Sequence, residues 1–242
     1  MQSRLVHAFA VIAAGLAAQP AFAQDEAEKT GLSGNATFGF TQSRGNTDNL
    51  GLSGGAEAEY RSDSPWVYDA KALFVKREED GASVEERYEA RGSANYFWTE
   101  DDYFYGRLQW RKDLFGGVRE EWLPSVGYGR ILVNTEAHTL KGEVGAGYKF
   151  SELQDGTNLD GVALTGGLKY AWQISESAEF IQNLFVEWTS DKTYLESETG
   201  LRTTIVGNLG AKFSYVVQHN TEVAPGSANT DFFTTVGLDY AF

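Results

Sequence analysis

The stretch DFFTTVGLDYAF, residues 231–242, alternates to its last residue. Val236, Leu238, Tyr240 and Phe242 fall on one side, with Phe232 further back. Thr235, Gly237, Asp239 and Ala241, small or polar, fall on the other. Successive side chains of a β-strand point to opposite faces, so the segment is a strand with one apolar and one polar face. A strand that shows its apolar face to lipid must have its backbone fully paired, because hydrocarbon offers no hydrogen bonds. The last strand is therefore expected to close against the first.

The same period of two recurs along the chain, in runs of about ten residues separated by turn-forming residues. Leu32, Gly34, Ala36, Phe38 and Phe40 alternate with Ser33, Asn35, Thr37 and Thr41. Tyr68, Ala70, Ala72 and Phe74 alternate with Asp69 and Lys71. On strand after strand the polar face carries charges of both signs in mid-run: Glu57 and Glu59, Glu89 and Arg91, Arg107, Arg111 and Asp113, Lys141, Glu143 and Lys149, Lys169, Glu187, Arg202, Lys212 and Asp239. Tyr60, Trp66, Trp98, Tyr103, Trp122, Trp172, Trp188 and Tyr240 sit toward run ends, as in the aromatic belts at the two edges of a bilayer. A soluble sandwich also alternates, but it explains neither feature. The expected fold is all-β, a single antiparallel transmembrane β-barrel of about twelve strands.

The count of twelve depends on one division. TYLESETGLRTTIVGNLGAKFSYVVQH, residues 193–219, is too long for one membrane-crossing strand of about 9–11 residues and divides at Val206-Gly207-Asn208. An even number then puts short connections at one end (RSDSP, TEDD, NTEA, SESA, VGN) and the longer SELQDGTNLD, SDKTYLESE and NTEVAPGSANTD at the other.

Composition narrows the class. The chain has 27 Gly, 12 Tyr, 15 Phe and 6 Trp but only 4 Pro, which favours strands over helices. Residues 1–23 read as a secretory signal peptide: Arg4, an apolar run from Leu5 to Ala18, Pro20, and the A-x-A site Ala21-Phe22-Ala23. Residues 24–30 form a short N-terminal segment and 31–242 the barrel, which places the expected product in the outer membrane of a Gram-negative envelope. There is no Cys, which removes disulfides and thiol nucleophiles together. The formal charge is −14, and one unit more negative once Arg4 leaves with the signal, so nucleic acid is not an expected partner. The expected partners are outer-membrane lipid, the assembly machinery that reads Val236, Leu238, Tyr240 and Phe242 in the C-terminal strand, and small solutes.

The charged inner face is where chemistry could reside. Its acids and bases can cross-link the barrel wall, or line a pore that selects small solutes. An enzyme is the rival from another class: a hydrolase with a rim site, in which His219 would pair with Asp231. His138, at a short turn, is the only other His outside the signal segment, and two His are too few for a His-rich metal centre. Glu78, Glu79 and Asp80 could attract divalent cations from an outer loop. The turn at 43–49, with Arg44, Gly45, Asn46 and Asp48, is explained by turn chemistry alone. No cofactor is expected.

GNTD at 45–48, YGRLQWRKDLF at 105–115, SVGYGR at 125–130 and FSYVVQHN with TDFFTTVGLDYAF at the end together resemble a bacterial family of unknown function described as salt-induced outer membrane proteins. The resemblance spans roughly residues 31–242. It implies an outer-membrane barrel and a role in envelope adaptation to osmotic conditions, and it supplies no catalytic residues.

Overall fold

The computed structural model describes residues 30–44, 49–79, 82–113, 118–223 and 228–242; the expected signal peptide lies outside them. Twelve strands follow in order: β1 (Gly31–Arg44), β2 (Asn49–Arg61), β3 (Trp66–Glu79), β4 (Ala82–Phe97), β5 (Asp102–Asp113), β6 (Val118–Asn134), β7 (His138–Leu153), β8 (Gly161–Ser175), β9 (Ala178–Thr189), β10 (Thr193–Val206), β11 (Leu209–Asn220) and β12 (Thr230–Ala241). Each pairs antiparallel with its chain neighbours, and β1 with β12, so the sheet closes into a barrel. The closing seam runs from Asn35 opposite Ala241 to Arg44 opposite Phe232. Beyond it, Gly34 and Phe242 exchange backbone hydrogen bonds of 2.8 and 2.9 Å.

Alternation becomes an outside and an inside. Val126 is 68% exposed and Val144 61%, whereas Lys149 and Asp239 are 2% exposed. A protein that buries its ions and exposes its valines is built for an apolar surrounding. The strands, from 12 to 17 residues, exceed the 9–11 needed to cross hydrocarbon, so their ends stand clear of it.

The two ends of the barrel differ. At the turn end the connections are 62–65, 98–101, 135–137, 176–177 and 207–208; the loop end includes 154–160 and 221–229. The long run does divide at Gly207, whose φ of +55° suits a tight turn that an L side chain resists. SDKTYLESE, by contrast, is not a long loop. The connection between β9 and β10 is only residues 190–192, and TYLESE belongs to β10.

Outward aromatics gather near both rims. At the turn end Tyr60, Tyr68, Trp66 and Tyr96 form a chain of ring contacts with centroids 5.2–6.4 Å apart. At the loop end Trp110 meets Trp122 at 6.3 Å and Tyr148 meets Phe150 at 4.9 Å. Tyr103 is the exception to the expected belt: it turns inward and is 3% exposed. Its cross-strand partner is Gly129, where a Cβ would lie 2.2 Å from the Tyr103 ring. The missing side chain opens the inner wall to the ring, while Phe104 takes the outward position at 54% exposure.

Candidate functional site: the charged lumen

Of the candidate lumen charges, Asp113, Lys149 and Asp239 are buried against the inner wall. Lys212 borders a small secondary cavity. The remainder line one cavity of about 730 Å³ that follows the barrel axis. The charges form three tiers.

The loop-end tier is the densest. Lys149 Nζ lies 2.5 Å from Glu187 Oε1 and 2.8 Å from Glu121 Oε2. Arg111 donates to Glu121 Oε1 at 2.7 Å and lays its guanidinium over the Tyr194 ring. Arg87 binds Glu89 on its own strand, reaches to 3.8 Å from Glu196 Oε2 and covers the Phe233 ring at 4.8 Å. Glu196 also accepts from Tyr194 Oη at 2.5 Å and Gln218 Nε2 at 2.6 Å. Arg87 is on β4 and Glu196 on β10, diametrically opposed in a ring of twelve strands. These contacts therefore cross the lumen rather than decorate its wall.

In the middle tier Lys71 sits 3.1 Å from Glu57 and 3.6 Å from Glu198, again reaching from β3 to β10. Glu198 also takes Lys212 at 3.3 Å and Asn183 at 3.2 Å. Toward the turn end, Arg107 at 2.8 Å, Lys169 at 3.2 Å and the Tyr103 hydroxyl at 3.0 Å converge on Glu143. Arg202 joins Glu179 and Asp239 at 2.8 and 2.9 Å. Interior pairs of this kind are worth little beyond the cost of drying two ions, but removing one partner strands the other.

The cavity has a direction. Its lining reaches the turn-end rim at Arg61, Phe97 and Phe242, and it ends toward the loops at Glu121 and Tyr194. We call it the vestibule: among the described residues its lining runs from the turn-end rim to the loop-end tier. Above that tier, in the connection 190–192, Lys192 has its ammonium pKa brought down to about 8, first by burial and then by the nearby charges of Lys149 and Arg111.

Several participants are not among the sequence candidates, including Arg87, Tyr103, Glu121, Glu179, Tyr194, Glu196 and Glu198. Arg87 and Glu121 share inward parity with Glu89 and with Leu123 and were lost only because each run was started a residue late. The sequence reading places Tyr194, Glu196 and Glu198 in the loop SDKTYLESE, since their outward neighbours Ser197 and Thr199 are polar and break the alternation.

The rim arrangement suggested for a hydrolase does not form. His219 Nδ1 lies 2.8 Å from Thr230 Oγ1, its cross-strand partner. Asp231, one residue on, pairs with Gln218 on the inner face. His138 shares a hydrogen bond of 2.9 Å with the Tyr170 hydroxyl and stacks on Tyr170 and Trp172 in the turn-end aromatic belt. Residues 45–48 lie outside the described residues, as do Asp80 and the side chains of Glu78 and Glu79.

A closed barrel with a lipid-facing apolar exterior and an ionic interior is a transmembrane β-barrel, the class found in the outer membranes of bacteria. The chain belongs to the family described as "Protein of unknown function, DUF481", which it matches over residues 36–242. It is 30% identical over 216 residues to the uncharacterized protein YdiY of Escherichia coli K12, covering 88% of this chain and 84% of that one. Its fold is similar to that of the NanC porin, with a TM-score of 0.58 at 9% identity over 86% of this chain and 98% of the porin. It is also similar to the COG4313 outer membrane channel of Pseudomonas putida F1, with a TM-score of 0.54 at 10% identity over 90% and 97% of the two chains.

Proposed function

We propose that this chain spans the bacterial outer membrane with its turn end toward the periplasm, and that it is a narrow channel for small solutes which rests closed. Short turns face the periplasm in barrels of this class, so the turn-end rim of the vestibule faces inward. The observation that carries the reading is the placement of Arg87 opposite Glu196 and Lys71 opposite Glu198. Each couple joins facing walls within or beside the polar cavity, as a constriction would. The exchange of these contacts for water and passing ions is the opening step. In assembly, the machinery that inserts such barrels would read the outward Val236, Leu238, Tyr240 and Phe242 of β12.

Planar-bilayer recording tests this. The wild-type barrel should show sparse, small current steps, and the Arg87→Ala/Arg111→Ala variant frequent and larger ones. A gel-mobility shift on heating verifies that the variant is folded. A folded variant without current overturns the reading, and so does a wild type that conducts as a wide, permanently open pore.

A further inference from the structure

We propose that the vestibule holds a small organic anion bearing more than one carboxylate or phosphate group, bound by Arg91 and Lys141. The proposal rests on the vestibule being the accessible part of the lumen. Its carboxylates are already engaged: Glu57 by Lys71, Glu59 by Arg61, Glu143 by Arg107 and Lys169, and Glu179 by Arg202. Asp69 accepts from Asn95 Nδ2 at 2.5 Å. Arg91 and Lys141 line the same cavity, and among the described residues neither has a hydrogen bond or an ion pair.

Register makes the imbalance deliberate in physical terms. Arg91 stands directly across from Lys71, and Lys141 directly across from Lys169. Like charges at facing positions on adjacent strands destabilise a sheet. On the inner wall, Glu59 with Asp69 and Arg202 with Lys212 are also like charges at facing positions, but there every member has a partner. Arg107 and Arg91 also lie near enough to Lys169 to repel its ammonium. Toward the turn end, the lining on β4, β5, β7 and β8 therefore carries four cations, Arg91, Arg107, Lys141 and Lys169, against the carboxylate of Glu143, with Glu89 and Arg111 of the same strands nearer the loops, and Arg107 keeps its Nε–H without an acceptor. A guanidinium presents a planar fork that matches carboxylate or phosphate oxygens in pairs, and an ammonium adds a point charge. A volume of about 730 Å³ admits a molecule of that kind with its water. The lumen as a whole is not basic, and this rules out a general anion conduit. It is the local surplus on one wall that selects.

Titration calorimetry on the full-length barrel in lipid nanodiscs, with citrate and inorganic phosphate as separate probes, tests the site. Citrate, phosphate or both should bind the wild type. Arg91→Gln/Lys141→Gln should weaken binding by about tenfold or more, the loss expected for charge-assisted hydrogen bonds. Arg61→Gln, at the rim and paired with Glu59, should leave it unchanged. Arg91→Gln alone should not lower the unfolding temperature, because it removes repulsion from Lys71. If neither probe binds, or if Arg91→Gln destabilises the barrel and the double variant binds as the wild type does, the proposal falls. Binding that persists when the Arg87→Ala/Arg111→Ala variant carries no current would remove the channel reading and leave the anion site standing.

Discussion

Arg111 sets its guanidinium 4.7 Å from the ring centroid of Tyr194, a residue five strands away around the wall. Tyr194 in turn donates its hydroxyl to Glu196, which faces Arg87. One tyrosine thus joins two arginines that approach from the opposite side of the lumen.

Tyr194→Phe keeps the ring over Arg111 and removes a hydroxyl donor from the half-buried Glu196 carboxylate, so it should cost about 1 kcal/mol. Tyr194→Leu removes the cation–π contact as well and should cost a further ~1–2 kcal/mol. Urea unfolding of the barrel in lipid, followed by tryptophan fluorescence, measures both steps.

Lys149 is the buried cation that Glu121 and Glu187 share. Lys149→Met should destabilise the barrel by about 3–5 kcal/mol, because it leaves carboxylates dry and uncompensated. Lys149→Met/Glu187→Gln should recover most of that loss, since Glu121 retains Arg111. The same unfolding measurement distinguishes the single from the double variant.

The outer face should respond to depth. Val126, at mid-strand on β6, faces lipid at 68% exposure, and Val126→Arg should cost about 2–4 kcal/mol. Val206, at the turn end of β10, is as exposed at 67%, yet Val206→Arg should cost only about 0–1 kcal/mol. Equal penalties at the two positions would contradict a bilayer-spanning exterior.

Lys192 gives a pH signature. Its pKa is about 8 in the folded barrel against an ordinary 10.5 in the unfolded chain. Below pH 8 both states hold the proton, and the folded state bears the full cost of a crowded ammonium. Between pH 8 and 10.5 the unfolded chain binds more protons, so stability should rise with pH across that window. Lys192→Met should reduce this rise. Unfolding midpoints measured from pH 7 to 10.5 provide the check.

The barrel was legible in the sequence because lipid enforces the pattern: Val236, Leu238 and Tyr240 can face only one way, and so can Asp239. The split at Gly207 was legible because a tight turn needs a residue at ease with positive φ. Loop-end strand extents were harder to read. Once a strand rises clear of hydrocarbon, outward residues such as Ser197 and Thr199 need not be apolar, and the period that reveals the strand fades. Tyr103 was misread for a different reason. Its inward position follows from Gly129 on the next strand, and that pairing is set by register rather than by spacing along the chain. Which charge meets which was likewise beyond the linear pattern. Arg87 and Glu196 are more than a hundred positions apart, and only closure of the ring makes them face each other.

The contacts that bridge the lumen bear on the shape of the cylinder. A hollow sheet of twelve strands can be squeezed toward an oval by the pressure of surrounding acyl chains. Here Arg87, Arg111 and Lys71 each grip the far side, so distortion along one axis must break a contact across the lumen. The cross-section is held by internal ties, and its shape is set by the polypeptide as well as by the lipid around it.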